Sequence, residues 1–163
     1  MILQPSSTVN AQNWSSTAAT LHQAVNEGSP SDASYISANA FAVSPACEMG
    51  LPTHATQASS VTVSCRLAVQ TRLADNGIRM VVKIGSDTIQ LDFVATGEDS
   101  YSTQTAVISG SDLTKWNSNS TRTFTITAIP VTQSPGAVFK VSWIAFDAPG
   151  ASSVKRGKGA KFL

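Results

Sequence analysis

The sequence predicts an all-β protein: an antiparallel, jelly-roll-like β-sandwich with an irregular N-terminal arm and a short basic C-terminal extension. Three observations carry that expectation. From Val61 onward, apolar residues recur at every second position in one run after another. The runs are separated by short clusters of Gly, Ser, Asn and Asp, and no long segment has the 3.6-residue period of an amphipathic helix. Charged residues are only 13% of the chain, against roughly 25% in typical globular domains. In their place 40 of the 163 residues are Ser or Thr, a composition that suits strands with hydroxyl-bearing outer faces.

The length supports one well-buried core and is short for two. Residues 1–150 are read as a single sandwich domain, with an arm over about 1–35 that wraps across it. Residues 10–20 of that arm are polar apart from Trp14, and the arm continues through LHQAVNEGSPSDASYIS, which breaks at Gly28-Ser29-Pro30.

The clearest strand begins at Val61. Val61, Val63, Cys65, Leu67 and Val69 alternate with Thr62, Ser64, Arg66, Ala68 and Gln70, which describes one dry and one wet face. Ile78, Met80, Val82 and Ile84 repeat the pattern, and after Gly85-Ser86-Asp87 it returns in Ile89, Leu91 and Phe93, so 78–95 reads as a hairpin. Thr103 to Ser109 is a shorter strand. SGSDLTKWN then offers Ser109 or Ser111 as an N-cap, Asp112 in the first turn, and Leu113 and Trp116 as apolar anchors, enough for a single helical turn. Phe124, Ile126 and Ala128 alternate until Pro130, which ends that strand or sets it at an edge. AVFKVSWIAFD carries apolar residues at both parities and reads as a strand covered on both faces for part of its length.

Net charge is +1, which gives no overall attraction to nucleic acid or an anionic membrane. No apolar run approaches the roughly 18 residues that span a bilayer, and MILQPSSTVN lacks the basic and apolar regions of a secretory signal. The expectation is a protein made in the cytosol. Cys47 and Cys65 sit in no metal-binding spacing; Cys65 lies in an apolar alternation, where a free buried thiol is expected, although a bridge to Cys47 is geometrically possible.

No catalytic pattern is present. There is no GxSxG elbow and no phosphate-cradling glycine loop, and His22 and His54 lie in separate segments without an HxH or HExxH partner. The reading is therefore a non-enzymatic protein with no catalytic residue, cofactor or metal. Glu27, Asp32 and Asp147 are the one carboxylate set that could meet at a rim and hold calcium; the simpler reading has Glu27 and Asp32 bonding the amides of the turn between them. Trp14, Tyr35, Tyr101 and Trp116 could form a platform for a sugar. The simpler reading has Trp14, Tyr35 and Ile36 as anchors that dock the arm onto the sandwich, and Trp116 as a cover for the sandwich end.

Pro5 and Trp14, followed by the pattern L-x-x-A-x-x-E-x-x-P-x-D-x-x-Y-I of Leu21, Ala24, Glu27, Pro30, Asp32, Tyr35 and Ile36, resemble a group of tailed-bacteriophage virion proteins with a β-sandwich domain. The resemblance covers about the first quarter of the chain. It implies a structural component of the virion, assembled in the host cytoplasm: a capsid decoration or cement protein that binds the major capsid protein and stabilises the head. The alternatives are a tail, neck or fibre accessory protein, or an adhesion domain like a carbohydrate-binding module that takes a surface glycan. A homo-oligomer, a trimer by preference, is expected from the two-sided apolar character of Val138 to Phe146. In the tail, 151–163, Lys155, Arg156, Lys158 and Lys161 would meet acidic side chains of a neighbouring subunit while Phe162 and Leu163 fill an apolar pocket. Nucleic acid is the weaker partner, because no aromatic but Phe162 is interleaved with those cations.

Overall fold

A computed structural model describes residues 1–40, 46–54, 57–70, 77–96, 98–129 and 137–150. In chain order the elements are β1 (Ile2–Leu3), β2 (Ser7–Asn10), β3 (Ser15–Ser16), α1 (Leu21–Val25), β4 (Ile36–Ala40), β5 (Ala46–Gly50), β6 (Val61–Gln70), β7 (Gly77–Ile84), β8 (Asp87–Val94), β9 (Ser102–Ile108), α2 (Gly110–Ser118), β10 (Thr123–Ile129) and β11 (Ala137–Asp147). Two antiparallel sheets face one another. The first runs β3-β4-β11-β6-β9, with β1 also on β11, and the second β2-β5-β10-β7-β8.

The alternation seen from Val61 onward is what builds the core. Val61, Val63, Cys65, Leu67 and Val69 of β6 are all fully buried and share one apolar cluster with Met49, Met80, Val82, Phe124 and Ile126 of the facing sheet. The β7–β8 hairpin turns at Gly85-Ser86. Gly85 takes φ +60° at the first central position, which is the glycine requirement of a two-residue hairpin turn. At the other end of β7 the chains approach closely: a Cβ on Gly77 would sit 2.1 Å from the Phe93 carbonyl oxygen.

The last strand departs from expectation. Val141 pairs with Leu67 and Trp143 with Arg66, so Ser142 is the extra residue of a bulge. Phe139 and Val141 face the core before the bulge, and Ile144 and Phe146 after it. The change of phase accounts for part of the mixed parity; the rest reflects a strand covered on both faces over part of its length, since Ser142 and Ala145 are buried as well as Ile144 and Phe146.

The arm is more regular than its sequence suggests. It contributes β1 and β3 to one sheet and β2 to the other, with α1 between them, and buries Trp14, Leu21, Ala24 and Val25 in the core. Strands β4 and β5 are likewise additions to the elements read from sequence. Helix α2 has nine residues where a single turn was expected. Its N-cap is Ser109, which caps through backbone position without a side-chain bond, and its buried Trp116 stacks on Phe146 at 5.8 Å and 19°.

Cys47 on β5 and Cys65 on β6 lie in opposite sheets as free thiols. Burial pushes Cys47 up to about 12 and raises Cys65 as well, so both remain protonated and unreactive at neutral pH. Pro130 and the whole of 151–163, including Lys155, Arg156, Lys158, Lys161, Phe162 and Leu163, lie outside the described residues.

Candidate functional site

On the outer face of the first sheet, alternation turns Arg66 away from the core between buried Cys65 and Leu67. It is the one charged residue on that face of β6, whose other members are Thr62, Ser64, Ala68 and Gln70. The loop after α1 crosses this face and delivers Asp32 to it. Arg66 Nε and Nη2 donate to Asp32 Oδ1 and Oδ2, both at 2.7 Å, the fork-to-fork geometry that a guanidinium and a carboxylate favour. The bulge at Ser142 supplies a third member, its hydroxyl donating to Asp32 Oδ1 at 3.0 Å. The hydrogen bond from Arg66, more than any other influence, holds the Asp32 carboxyl below the usual range, and Asp32 in turn raises Arg66.

Two tyrosines close on this pair. Tyr35, at the end of the same loop, is fixed by its backbone: its N–H donates to Thr17 Oγ1 at 2.9 Å, and its carbonyl accepts the Thr17 N–H at 3.1 Å. Tyr101 precedes β9 in a loop tied to the sheet by the Asp99 N–H, which donates to the Val69 carbonyl at 3.0 Å. The rings lie 6.5 Å apart at 49°. Arg66 sits over Tyr101 at 5.8 Å, and Lys140 of β11 over Tyr35 at 5.6 Å. Lys140 also pairs with Asp99 at 3.5 Å. The Tyr101 hydroxyl is buried and has no hydrogen-bond partner among the described residues; burial first, and then the nearby Asp32 charge, raises its ionisation range.

Beside the pair, Trp143 donates its indole N–H to the Glu27 carbonyl at 2.9 Å, which moors the loop to β11. Gln4 donates to that same carbonyl, and Ser34 donates to the Glu27 carboxylate. The arrangement holds two partly exposed aromatic rings, each with a cation over one face, and two carboxylates paired with those cations. Such a surface can stack on the apolar face of a ring and bond its hydroxyls, but it holds no nucleophile with a base.

The sequence-derived candidates separate here. Of the four aromatics considered as a sugar platform, Tyr35 and Tyr101 come together, whereas Trp14 and Trp116 are buried in the core. Ile36 is buried as well, so Trp14 and Ile36 are core residues. The carboxylate set does not assemble. Asp32 is paired with Arg66, Glu27 bonds Ser34, and Asp147 lies at 3.4 Å from the N-terminal ammonium. Asp32 does not bond the amides of the turn before it; Ser31 Oγ instead accepts the Ala33 N–H at 3.2 Å. Among the described residues no three His, Cys, Asp or Glu side chains gather as a metal ion would need. His22 Nδ1 meets the hydroxyls of Thr8 and Thr20, both at 3.1 Å. Arg66, Lys140 and Ser142 went unnoticed in the sequence. The signal for Arg66 was available: a lone charge on an otherwise small and neutral strand face.

The sequence matches no family model and no curated protein. Solved structures do resemble the fold. The C-terminal family 6 carbohydrate-binding module of a marine laminarinase from Zobellia galactanivorans superposes with a TM-score of 0.54 at 11% identity, over 90% of this chain and 97% of that one. A family 35 carbohydrate-binding module from Clostridium thermocellum gives 0.52 at 17% identity, over 88% and 99%. A family 35 module from Cellvibrio japonicus gives 0.53 at 12%, over 93% and 95%. At these identities the likeness establishes the shared β-sandwich jelly-roll fold.

Proposed function

We propose that this protein is a non-catalytic glycan-binding domain, and that its outer-face tyrosine pair is the binding surface. The observation that carries the proposal is the convergence of Tyr35 and Tyr101 beside Arg66, Asp32, Lys140 and Asp99, residues drawn from four separate segments. A sandwich core does not require that convergence; a sugar ring does, since its C–H face needs an aromatic surface and its hydroxyls need fixed donors and acceptors. The structures of similar fold support it, because those reported above are carbohydrate-binding modules and another is a xylan-binding module.

Titration calorimetry with oligosaccharides selected on a glycan array tests the reading. Tyr35→Ala and Tyr101→Ala should each weaken binding by roughly tenfold, the scale of one aromatic stacking contact. Unchanged affinity in both variants would refute it.

The resemblance of residues 21–36 to tailed-phage virion proteins supports a setting for such a domain. On a particle, as a decoration, tail or fibre component, it would hold glycans of a host surface. Immunogold labelling of purified particles would place it on head or tail, and its absence from them would remove the setting without touching the glycan proposal.

A further inference from the structure

The opposite end of the sandwich holds a second arginine with a different problem. Arg122, just before β10, is only 2% exposed and lies over the Trp116 ring at 4.3 Å. Its Nε and Nη2 donate to the Trp116 carbonyl at 3.2 and 2.6 Å, and its Nη1 donates to the carbonyls of His54 and Ser120, both at 3.2 Å. These are four bonds from a group with five N–H donors. No carboxylate reaches Arg122 within ion-pair distance among the described residues.

Arg122 and His54 line a solvent-connected cavity of about 220 Å³ together with Asn117, Ser118, Asn119 and Ser120. We propose that this cavity binds an oxyanion group, a carboxylate, sulfate or phosphate, with Arg122 as its buried cation. The charge balance points that way. A buried cation is stable when an opposite charge or a set of dipoles offsets it. Here the offset comes from dipoles: the Trp116 carbonyl at the C-terminal end of α2, the carbonyls of Ser120 and His54, and the face of the Trp116 ring. Dipoles carry no net charge, so the guanidinium keeps its formal positive charge, and no acidic side chain lines the cavity to neutralise it.

The polar inventory agrees. His54, 6% exposed, has a buried Nε2, and Trp116 a buried Nε1–H, with no hydrogen-bond partner among the described residues. Of these two residues His54 lines the cavity, and Trp116 carries the ring that lies against Arg122. The rim is neutral and rich in hydroxyls and amides, which suits the hydrogen-bonding shell of an oxyanion. The volume is below the roughly 300–1,000 Å³ of sites that enclose a whole ligand, so the cavity takes a group. A body attached to that group has room in an adjoining groove of about 390 Å³, which shares Asn117 and Ser118 and adds Leu113 and Thr114. The proposal is independent of the outer-face reading, since its probes need carry no sugar.

The test uses the full ¹⁵N-labelled chain titrated with sodium sulfate and with sodium acetate, against sodium chloride at matched ionic strength. The Trp116 indole N–H is the reporter, and those of Trp14 and Trp143 are internal references. Sulfate or acetate should move the Trp116 signal saturably while the references stay in place. The variant Asn119→Asp retains the Oδ1 that accepts the Thr121 N–H at 3.0 Å, so it should fold, and it adds a carboxylate to the cavity. It should weaken the anion by at least about tenfold. A sulfated oligosaccharide and its desulfated counterpart then tell the source. Tighter binding of the sulfated form than of inorganic sulfate indicates an anion carried on a glycan, and equal binding a free ion. A Trp116 signal that moves no more than in chloride, or an Asn119→Asp variant that binds as the wild type does, overturns the proposal.

Discussion

Arg66 and Arg122 make a natural pair for comparison: each lies against an aromatic ring, and each ties together segments far apart in sequence. They differ in burial and in what balances their charge. The Arg66 side chain is 25% exposed and holds a carboxylate bidentately, so its charge is matched before any ligand arrives. Arg122 is enclosed and, among the described residues, hydrogen-bonds only backbone carbonyls. In the first case the arginine adds little to folding and shapes a surface. In the second it is part of the interior, since it anchors the C-terminal end of α2 to the 51–54 loop. Exposure, more than the number of bonds, separates the two roles.

The largest expected effect follows from that contrast. Arg122→Met leaves the carbonyls of Trp116, His54 and Ser120 without their donor in a buried site, and should cost about 3–5 kcal/mol in urea unfolding. Arg66→Ala should cost less than about 1 kcal/mol, because its ion pair is partly solvated, yet it should weaken glycan binding as the tyrosine variants do. Equal stability losses in the two would erase the distinction.

A smaller effect tests the orphaned hydroxyl. Tyr101→Phe removes a buried oxygen with no partner, so stability should rise by up to about 1 kcal/mol in thermal or urea unfolding. A loss of that size would mean that the hydroxyl is satisfied in solution.

The smallest effect is in pH. Arg66 holds Asp32 below the ordinary carboxylate range in the folded state. The stabilisation is therefore fully present above the unfolded value of about 3.9 and fades as pH falls through the lower folded value. Melting curves of wild type and Asp32→Asn should differ at pH 6 by under about 1 kcal/mol and converge toward pH 2. Arg122 has no acidic partner among the described residues and adds no such slope, so a difference that persists unchanged to pH 2 would contradict the assignment.

The strands β6, β7, β8 and β10 were legible because each has one dry and one wet face, and a period of two survives in the sequence. In strand β11 the partial cover on both faces is legible, but the bulge at Ser142, which shifts the period by one residue midway, is not. ISANA and ACEMG, the sequences of β4 and β5, are short and rich in small residues, so their pairing is dictated by neighbours and not by their own pattern. Helix α2 looked shorter than it is because Trp116 is its one fully buried anchor. At the candidate site, Tyr35 and Tyr101 could be nominated from sequence, but nothing local tells that they meet while Trp14 and Trp116 go inside. That outcome depends on Asp32 reaching Arg66 across 34 positions. Arg122 was invisible for a related reason: in TRTFTIT it resembles a residue flanking a strand, and its burial comes from α2 and the 51–54 loop folding over it.

The central claim is that the outer-face tyrosine pair receives a glycan. Mapping amide shifts of the ¹⁵N-labelled protein with an array-selected oligosaccharide tests it most directly. The account predicts that the shifts gather at Tyr35, Arg66, Tyr101 and Lys140 and leave the α2 end unchanged when the sugar is neutral. Shifts confined to α2 and Arg122, or spread over neither region, would contradict it.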